Sequence, residues 1–299
     1  MEESKETKKE FQFNFLSSFI LKIIAIITMT IDHVGVVMEM YSINYEVSNV
    51  FRAIGRIAMP LFCFMLVEGV IHTKSFGKYV LKMGIIGTLV LIAQIVMEYG
   101  MKMGIYQGGI FIDLILGALM IKALMDKRIW VKLLSIVPFG IGVLSFICFS
   151  YEVYGGEIYA FPYYLRTQYG FISLLIILTC YLAYLLAPFF MRMFHMDPEI
   201  FKGSNLERLA INVVSVCLFV VVAVLYYLLG MWMTYGELGH FGAFWDYGQQ
   251  NYMMISQAFV LLYSGLRGYN SKWFRYGQYL YYPLHILLIY GIFTLIIGG

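Results

Sequence analysis

The chain alternates long apolar runs with short polar connections. Each run continues for about 20 residues, the length that an α-helix needs to cross a bilayer, whereas strands of a membrane barrel alternate over about 10 residues. The pattern therefore predicts an all-α polytopic membrane protein, a bundle of about nine transmembrane helices. The predicted spans are about 16–40, 51–71, 79–98, 105–124, 130–149, 169–191, 208–231, 251–267 and 279–297.

Composition supports a membrane protein. Of 299 residues, 61% are hydrophobic and 13% charged, whereas soluble domains are about half apolar and a quarter charged. We expect residues 1–14 to be a polar cytoplasmic tail and 15–299 to be a single transmembrane domain. The first apolar run lacks a small-residue cleavage site, which indicates a retained helix and not a signal peptide. The four cysteines lie in apolar runs without metal-ligand spacing, so no metal is expected.

The basic residues predict an orientation. Sixteen Lys and Arg residues fall on one side of the predicted bundle and three on the other. Since cytoplasmic connections carry the excess of positive charge, the N-terminus is expected in the cytoplasm, and nine spans place the C-terminus outside. The expected location is the cytoplasmic membrane. The net charge of +3 is small and spread over many loops, which is not a nucleic-acid footprint.

Two predicted outer loops, 150–170 and 234–252, are rich in Tyr, Trp, Gly and acidic residues. Aromatic residues at this level are typical of a belt at the membrane interface. The same rings could instead cover a sugar or peptide, and the loops would then form a platform for an extracytoplasmic acceptor.

Ionisable residues within the hydrocarbon are costly and usually functional. Lys22 and His33 are eleven residues apart, which places them on one face of the first helix, about 16 Å apart along its axis. Lys22 can snorkel to the interface, whereas the shorter His33 lies too deep to do so. The ionisable residues in predicted spans are Lys22, Asp32, His33, Arg52, Arg56, Glu68, Asp113 and His285.

Asp32 and His33 are adjacent in sequence, and adjacent residues of a helix do not face each other. We therefore expect Asp32 to meet a cation on another helix. Arg52 and Arg56 are one turn apart on the second predicted span, and Arg56 matches the depth of His33 within a few ångström. A structural ion pair and an active-site cluster are both compatible with this pattern.

Three further residues form a second tier of candidates. Glu68 lies near the cytoplasmic end of the second span and has a charge-capping alternative. Asp113 lies at mid-depth in the fourth span, too central for an interfacial residue. His285 lies in the last span, in "YLYYPLHILLIY", where a structural role is equally compatible.

Three blocks, "LKIIAIITMTIDHVGVVM", "FRAIGRIAMPLFCFMLVEGV" and "YLYYPLHILLIY", resemble the TraX family of polytopic membrane proteins, which is linked to N-terminal acetylation of pilin. That family is similar to the wider transmembrane acyltransferases, including the type-three enzymes that acetylate surface glycans. Those enzymes carry an arginine ten intervening residues before a catalytic histidine, a spacing that Lys22 and His33 match. Lysine keeps the charge but not the bidentate fork, and Glu68 stands where a serine is common.

The resemblance implies a membrane acetyltransferase that uses cytoplasmic acetyl-CoA and an extracytoplasmic acceptor, either a protein amine, a glycan hydroxyl or a small molecule. His33 would be the general base or acyl carrier, with Asp32, Arg52 and Arg56 setting its protonation or stabilising the oxyanion. The donor phosphates would be held by Lys22, Lys74 and Lys78. A homo-oligomer is also compatible. The alternative function is a proton-coupled transporter that uses the same intramembrane charges.

Overall fold

The computed structural model describes residues 15–101, 108–153, 156, 158, 161–236 and 248–297. Within them the secondary structure is helical, and the only strand-like pairing is one bridge between Leu16 and Tyr263. The predicted all-α fold class is confirmed. The α-helices are α1 (Ser18–Met40), α2 (Tyr45–Gly55), α3 (Ala58–His72), α4 (Phe76–Met101), α5 (Ile110–Leu124), α6 (Ile129–Leu133), α7 (Ile136–Val153), α8 (Ile172–Met193), α9 (Asn205–Tyr235), α10 (Ser256–Leu261) and α11 (Lys272–Ile297).

Seven helical segments in the described part of the chain are long and apolar enough to cross a membrane. Two of them combine neighbouring helices, α2 with α3 and α6 with α7. The chain is therefore a multi-pass membrane protein. The segments are Ser18–Met40, Tyr45–His72, Phe76–Val96, Ile129–Glu152, Ile172–Met193, Asn205–Tyr235 and Lys272–Ile296.

The count of nine spans is not confirmed, because two predicted spans do not form long helices among the described residues. The fourth corresponds to α5, whose 15 residues extend about 22 Å, less than the roughly 30 Å hydrocarbon core. The eighth becomes the 3₁₀ helix Gln249–Ile255 followed by the six-residue α10. Its buried polar residues Asn251, Ser256 and Gln257 interrupt the apolar pattern. The predicted orientation stays a prediction.

The second span begins earlier than predicted and is broken in its middle. The side chain of Asn44 accepts a hydrogen bond from the amide of Val47 and so starts α2 at Tyr45. The break between α2 and α3 falls at Arg56 and Ile57. Pro60 explains it, because proline has no amide hydrogen to donate to the carbonyl of Arg56, one turn earlier.

Helix α1 packs against α2, α3 and α11, while α8 packs against α9 and α3. The chain before α1 is tied to the chain after α10. The amide of Leu16 donates to the carbonyl of Leu262, and the amides of Ser18 and Phe19 donate to the carbonyls of Leu266 and Arg267. This pairing places the first turns of α1 beside the 263–267 segment. The predicted tail (1–14) and residues 237–247 of the second predicted outer loop lie outside the described residues.

Candidate functional site

A cavity of about 690 Å³, named here the Asp32 cavity, lies where α1, α2, α7, α9 and α11 meet residues 166–170. Its lining combines charged groups with aromatic rings. Parts of both predicted aromatic loops contribute, through residues 166–170 and Gln250. The principal lining residues are Asp32, His33, Glu39, Arg52, Arg56, Gln94, Phe146, Phe149, Arg166, Gln168, Tyr169, Tyr226, Gln250, Ile286 and Tyr290.

Asp32 lies between Arg52 and Arg56, and these three residues are called the charge cluster below. Oδ1 of Asp32 accepts hydrogen bonds from Nη1 of Arg52 at 2.9 Å and from Nη2 of Arg56 at 2.6 Å. The expected partnership with the second span is therefore present in the structure. Gly55 makes it possible, because a Cβ at that position would overlap the Asp32 side chain.

The two arginines are anchored differently. Nη1 of Arg56 donates to Oε1 of Gln250 at 3.1 Å, and its Nε donates to the carbonyl of Arg52. Nε of Arg52 is buried without a hydrogen-bond partner among the described residues, and Oε2 of Glu39 is 3.7 Å away. Two guanidiniums and the Asp32 carboxylate give the charge cluster a formal charge of +1, and the Glu39 carboxylate beside it is 57% exposed to solvent. Such a cluster is suited to an anion or to a developing oxyanion.

His33 meets His285, the second-tier residue from the last helix. Nδ1 of His33 lies 2.9 Å from Nε2 of His285. His285 is buried, whereas His33 is half-buried and lines the Asp32 cavity. Nδ1 of His285 lies 2.9 Å from the carbonyl oxygen of Tyr281, whose ring stacks on the His285 ring. The structure thus pairs two histidines that are 252 residues apart in sequence.

Asp113 is fully buried and does not line the Asp32 cavity. It accepts hydrogen bonds from the amides of Gln168 and Tyr169, at 2.7 and 3.2 Å, and from the hydroxyl of Ser173 at 2.5 Å. Gln168 and Tyr169 do line the cavity. Asp113 therefore holds part of the cavity wall, which explains an acid at this depth without any contact to a substrate.

A second cavity of about 520 Å³, named the Lys22 cavity, lies near the start of α1. Four cations line it, Lys22, Lys82, Arg267 and Arg275. Aromatic rings also contribute, among them Phe19, Tyr269 and Phe274, which contact one another. Its charge and rings suit a phosphorylated ligand with a planar base.

Two of the lysines predicted to bind the donor phosphates lie outside the Lys22 cavity. Lys74 and Lys78 are exposed and do not line the Lys22 cavity. Lys82, one turn after Lys78, does line it. Of the three lysines predicted to hold the donor, the structure brings only Lys22 to this cavity, together with the two arginines from the far end of the sequence.

Glu68 also lines the Lys22 cavity, where it forms an ion pair with Arg208 at 2.6 Å. The hydroxyls of Tyr184 and Tyr263 donate to the same carboxylate. His72, one turn further along α3, lies 3.9 Å from it. These contacts agree with the charge-capping alternative for Glu68, and they fix three helices and the 263–267 segment around one acid.

Three aromatic residues of the Lys22 cavity, Phe62, Phe111 and Tyr282, form a cluster that is named the aromatic layer. The Tyr282 ring contacts both phenylalanines, with ring centroids 5.8 and 5.4 Å apart. All three line the Lys22 cavity and none lines the Asp32 cavity. His285 follows Tyr282 within one turn of α11 and contacts His33, which lines the Asp32 cavity. Helices α1 and α11 therefore line both cavities.

Several residues of the two cavities and of the histidine pair were not predicted from the sequence. Polar residues are ordinary in loops and in aromatic-rich helices, so they give no signal there. The residues missed for this reason are Gln250, Arg267, Arg275 and Tyr281. A usable signal did exist for the two arginines, because the basic connection 267–275 comes directly before a span with an intramembrane histidine. The contact between Arg56 and Gln250 had no such signal.

Residues 17–293 match the family model described as TraX protein. A segment of 64 residues is 44% identical to a probable fimbrial assembly protein of Dichelobacter nodosus, covering 21% of this chain and 25% of the relative. A segment of 45 residues is 49% identical to an uncharacterised protein of Rickettsia prowazekii, covering 15% of this chain and 16% of the relative. The matched segments thus span a quarter or less of these relatives. No solved structure matches the chain.

Proposed function

Because the chain belongs to the TraX family, we propose that it is a membrane acetyltransferase. It binds acetyl-CoA in the Lys22 cavity and transfers the acetyl group to an acceptor in the Asp32 cavity. His33 is the general base. The Lys22 cavity faces the cytoplasm, where the donor is made, and the acceptor arrives from the opposite side of the membrane.

One observation carries this proposal: a single helix, α1, presents Lys22 to one cavity and His33 to the other. The two residues are eleven positions apart, which corresponds to about 16 Å along the helix, a distance that the pantetheine arm can span. A donor anchored by its phosphates at Lys22 can therefore extend its thioester toward His33, with the rings of the aromatic layer moving aside.

The cations of the Lys22 cavity provide the donor site. Lys22, Lys82, Arg267 and Arg275 can form charge-assisted hydrogen bonds with the phosphates, and the arginines can do so with two bonds each. The rings of Tyr269 and Phe274 offer a surface on which the adenine can stack. This set replaces Lys74 and Lys78 of the sequence prediction.

The chemistry follows from His33 and the charge cluster. Nε2 of His33 takes the proton of the acceptor hydroxyl or amine as the acceptor attacks the thioester carbonyl. The new C–O or C–N bond forms, and the oxyanion is stabilised by the net positive charge of the cluster through Arg56. The C–S bond then breaks, and the proton passes from His33 to the departing thiolate, which leaves as CoA.

The acceptor is proposed to be a surface protein. The Dichelobacter nodosus relative is described as a probable fimbrial assembly protein, and the TraX family is linked to pilin acetylation. The aromatic rings of the Asp32 cavity, among them Phe146, Tyr169 and Tyr226, suit a peptide chain end. A glycan hydroxyl would use the same base and the same cluster.

His33→Asn tests the proposal. An Asn amide can occupy the place of Nδ1 and still donate to His285, but it has no base at the position of Nε2. We expect acetylation of surface proteins to fall by about 10²–10⁴-fold, measured by mass spectrometry of extracellular material from expressing cells. His195→Asn is the matched control, because His195 is exposed in a turn with a positive φ that Asn tolerates. Retained acetylation in His33→Asn would exclude His33 as the base.

A proton-coupled transporter is the second candidate, and the break between α2 and α3 at Arg56 is the observation that favours it, because broken helices mark many transport sites. Thermal stability of the purified protein separates the two functions. Acetyl-CoA at 100 times its Kd should stabilise an acetyltransferase by about 2.7 kcal/mol. A transporter for another substrate should show no stabilisation by acetyl-CoA and should respond to a pH gradient in vesicles.

A further inference from the structure

We propose that His285 is a positioning residue that holds His33 in the tautomer with the proton on Nδ1, so that the Nε2 lone pair faces the Asp32 cavity. This inference rests on the proposed function of His33 as a base. It assigns a direction to each hydrogen bond in the series that runs from the backbone of α11 to the reacting nitrogen of His33.

The series of hydrogen bonds begins at the carbonyl oxygen of Tyr281. A carbonyl can only accept, and Nδ1 of His285 lies 2.9 Å from it, so this nitrogen carries a proton. His285 is 3% exposed and packed against the rings of Tyr281 and Tyr282, and such burial favours the neutral ring. A neutral ring has a single N–H, and Nε2 of His285 is therefore an acceptor.

The second step fixes His33. Its Nδ1 lies 2.9 Å from Nε2 of His285, and that nitrogen can only accept. The proton between the rings therefore belongs to His33. With Nδ1 protonated, the neutral His33 ring has its lone pair on Nε2. The described residues give this nitrogen no hydrogen-bond partner, and His33 lines the cavity, so Nε2 is the atom available to an acceptor.

The orientation of His285 is fixed by Tyr281 and Thr30. The Tyr281 ring stacks on His285 with an interplanar angle of 5° and a centroid distance of 4.9 Å. Thr30 donates its hydroxyl proton to the carbonyl of Ile26 at 2.7 Å, so the Tyr281 hydroxyl is the donor in its 2.5 Å bond to Thr30. This bond ties α11 to α1 one turn before the histidine pair.

Asp32 does not perform this role, although it is the acid next to His33 in sequence. Its Oδ1 accepts from both Arg52 and Arg56, and it has no hydrogen bond to His33. The charged groups that surround His33 are these three, and the charge cluster uses its carboxylate internally. The ring of His285 thus takes the orienting position that a carboxylate holds in Ser-His-Asp sites.

Nitrogen NMR of the protein in lipid, labelled with ¹⁵N-histidine, tests the tautomer directly, because protonated and unprotonated ring nitrogens have well-separated shifts. The His33 signals are assigned by their loss in His33→Asn. We expect the Nδ1–H form in the wild type and in His285→Gln, whose amide oxygen can accept the same bond. In His285→Leu, which offers no acceptor, we expect a shift toward the Nε2–H form. An Nε2–H form of His33 in the wild type, or an unchanged Nδ1–H form in His285→Leu, would overturn the proposal.

Kinetics provide the second readout. We expect His285→Leu to lower kcat by about 10–100-fold, as loss of partners that orient a histidine does at metal sites, with an unchanged KM for acetyl-CoA. His285→Gln should recover most of that loss, and His195→Gln should have no effect. Equal losses in the Leu and Gln variants would refute the positioning role. If His33→Asn keeps full activity, the proposed function of His33 fails, while the NMR result still decides the tautomer.

Discussion

Removal of the Asp32 carboxylate should reverse the effect that a second substitution, Arg52→Met, has on the free energy of unfolding. In the wild type, Arg52 and Arg56 share Oδ1 of Asp32 at 2.9 and 2.6 Å. The two donating nitrogens are therefore at most the sum of these distances apart, about 5.5 Å. At an effective dielectric constant of about 20, two positive charges at that distance repel by about 3 kcal/mol.

Asp32→Ala leaves this repulsion opposed only by Glu39, whose exposed carboxylate lies 3.7 Å from Nε of Arg52. The three side chains are 11–16% exposed, so water screens the cluster weakly. We expect a loss of about 3–5 kcal/mol in the free energy of unfolding, as for other buried pairs that lose one partner. Arg52→Met alone leaves a neutral Asp32–Arg56 pair and should lose about 1.5–3 kcal/mol, the value of one charge-assisted hydrogen bond.

The decisive variant combines both changes. In the absence of Asp32, Arg52→Met removes one of two repelling cations, so the double variant should be more stable than Asp32→Ala by about 2–3 kcal/mol. The assay is SDS-induced unfolding of the protein purified in mild detergent, with Arg192→Met as the control for an exposed arginine. If Arg52→Met destabilises the Asp32→Ala protein as it does the wild type, the electrostatic account of the cluster is wrong.

Three further predictions use the same preparations. Gly55→Ala should lower the free energy of unfolding by about 1–3 kcal/mol because its Cβ would overlap the carboxylate of the charge cluster, whereas Gly84→Ala, with open space at its Cβ, should lie within about 0.5 kcal/mol of the wild type. Asp113→Asn should lower it by about 1–3 kcal/mol, because the amide group would face an N–H or O–H donor. Arg275→Gln should weaken acetyl-CoA binding about tenfold, less at high salt, whereas Lys74→Gln should not; thermal-shift titration measures both.

The all-α fold class and the pairing of Asp32 with an arginine of the second span could be predicted from the sequence, because both depend on local geometry. Hydropathy defines helices by length, and depth along two connected helices brings Asp32 to the level of Arg56. The same reasoning could not fix the number of spans. Residues 249–261 contain buried Asn and Gln that interrupt the apolar pattern, and Gln249 and Gln250 hydrogen-bond to Asn49 and Arg56, about 200 residues away in the sequence.

The histidine pair and the Lys22 cavity depend on long-range contacts. Nothing in the pattern around His33 specifies that α11 packs beside α1, so His285 remained a residue of two possible roles. The Lys22 cavity likewise depends on the pairing of residues 15–19 with 262–267, which brings Arg267 close to α1. The sequence offers Lys74 and Lys78 as basic residues of a predicted inner loop, whereas the cations that line the Lys22 cavity come from segments that are distant in the sequence.

The aromatic layer has an electrical consequence. The proposed function places the two cavities on opposite sides of the membrane, and Phe62, Phe111 and Tyr282 carry no charge. A charge moved across 100 mV changes in energy by about 2.3 kcal/mol. The proposed transfer moves a neutral acetyl group past these rings, so the membrane voltage should do no work on it.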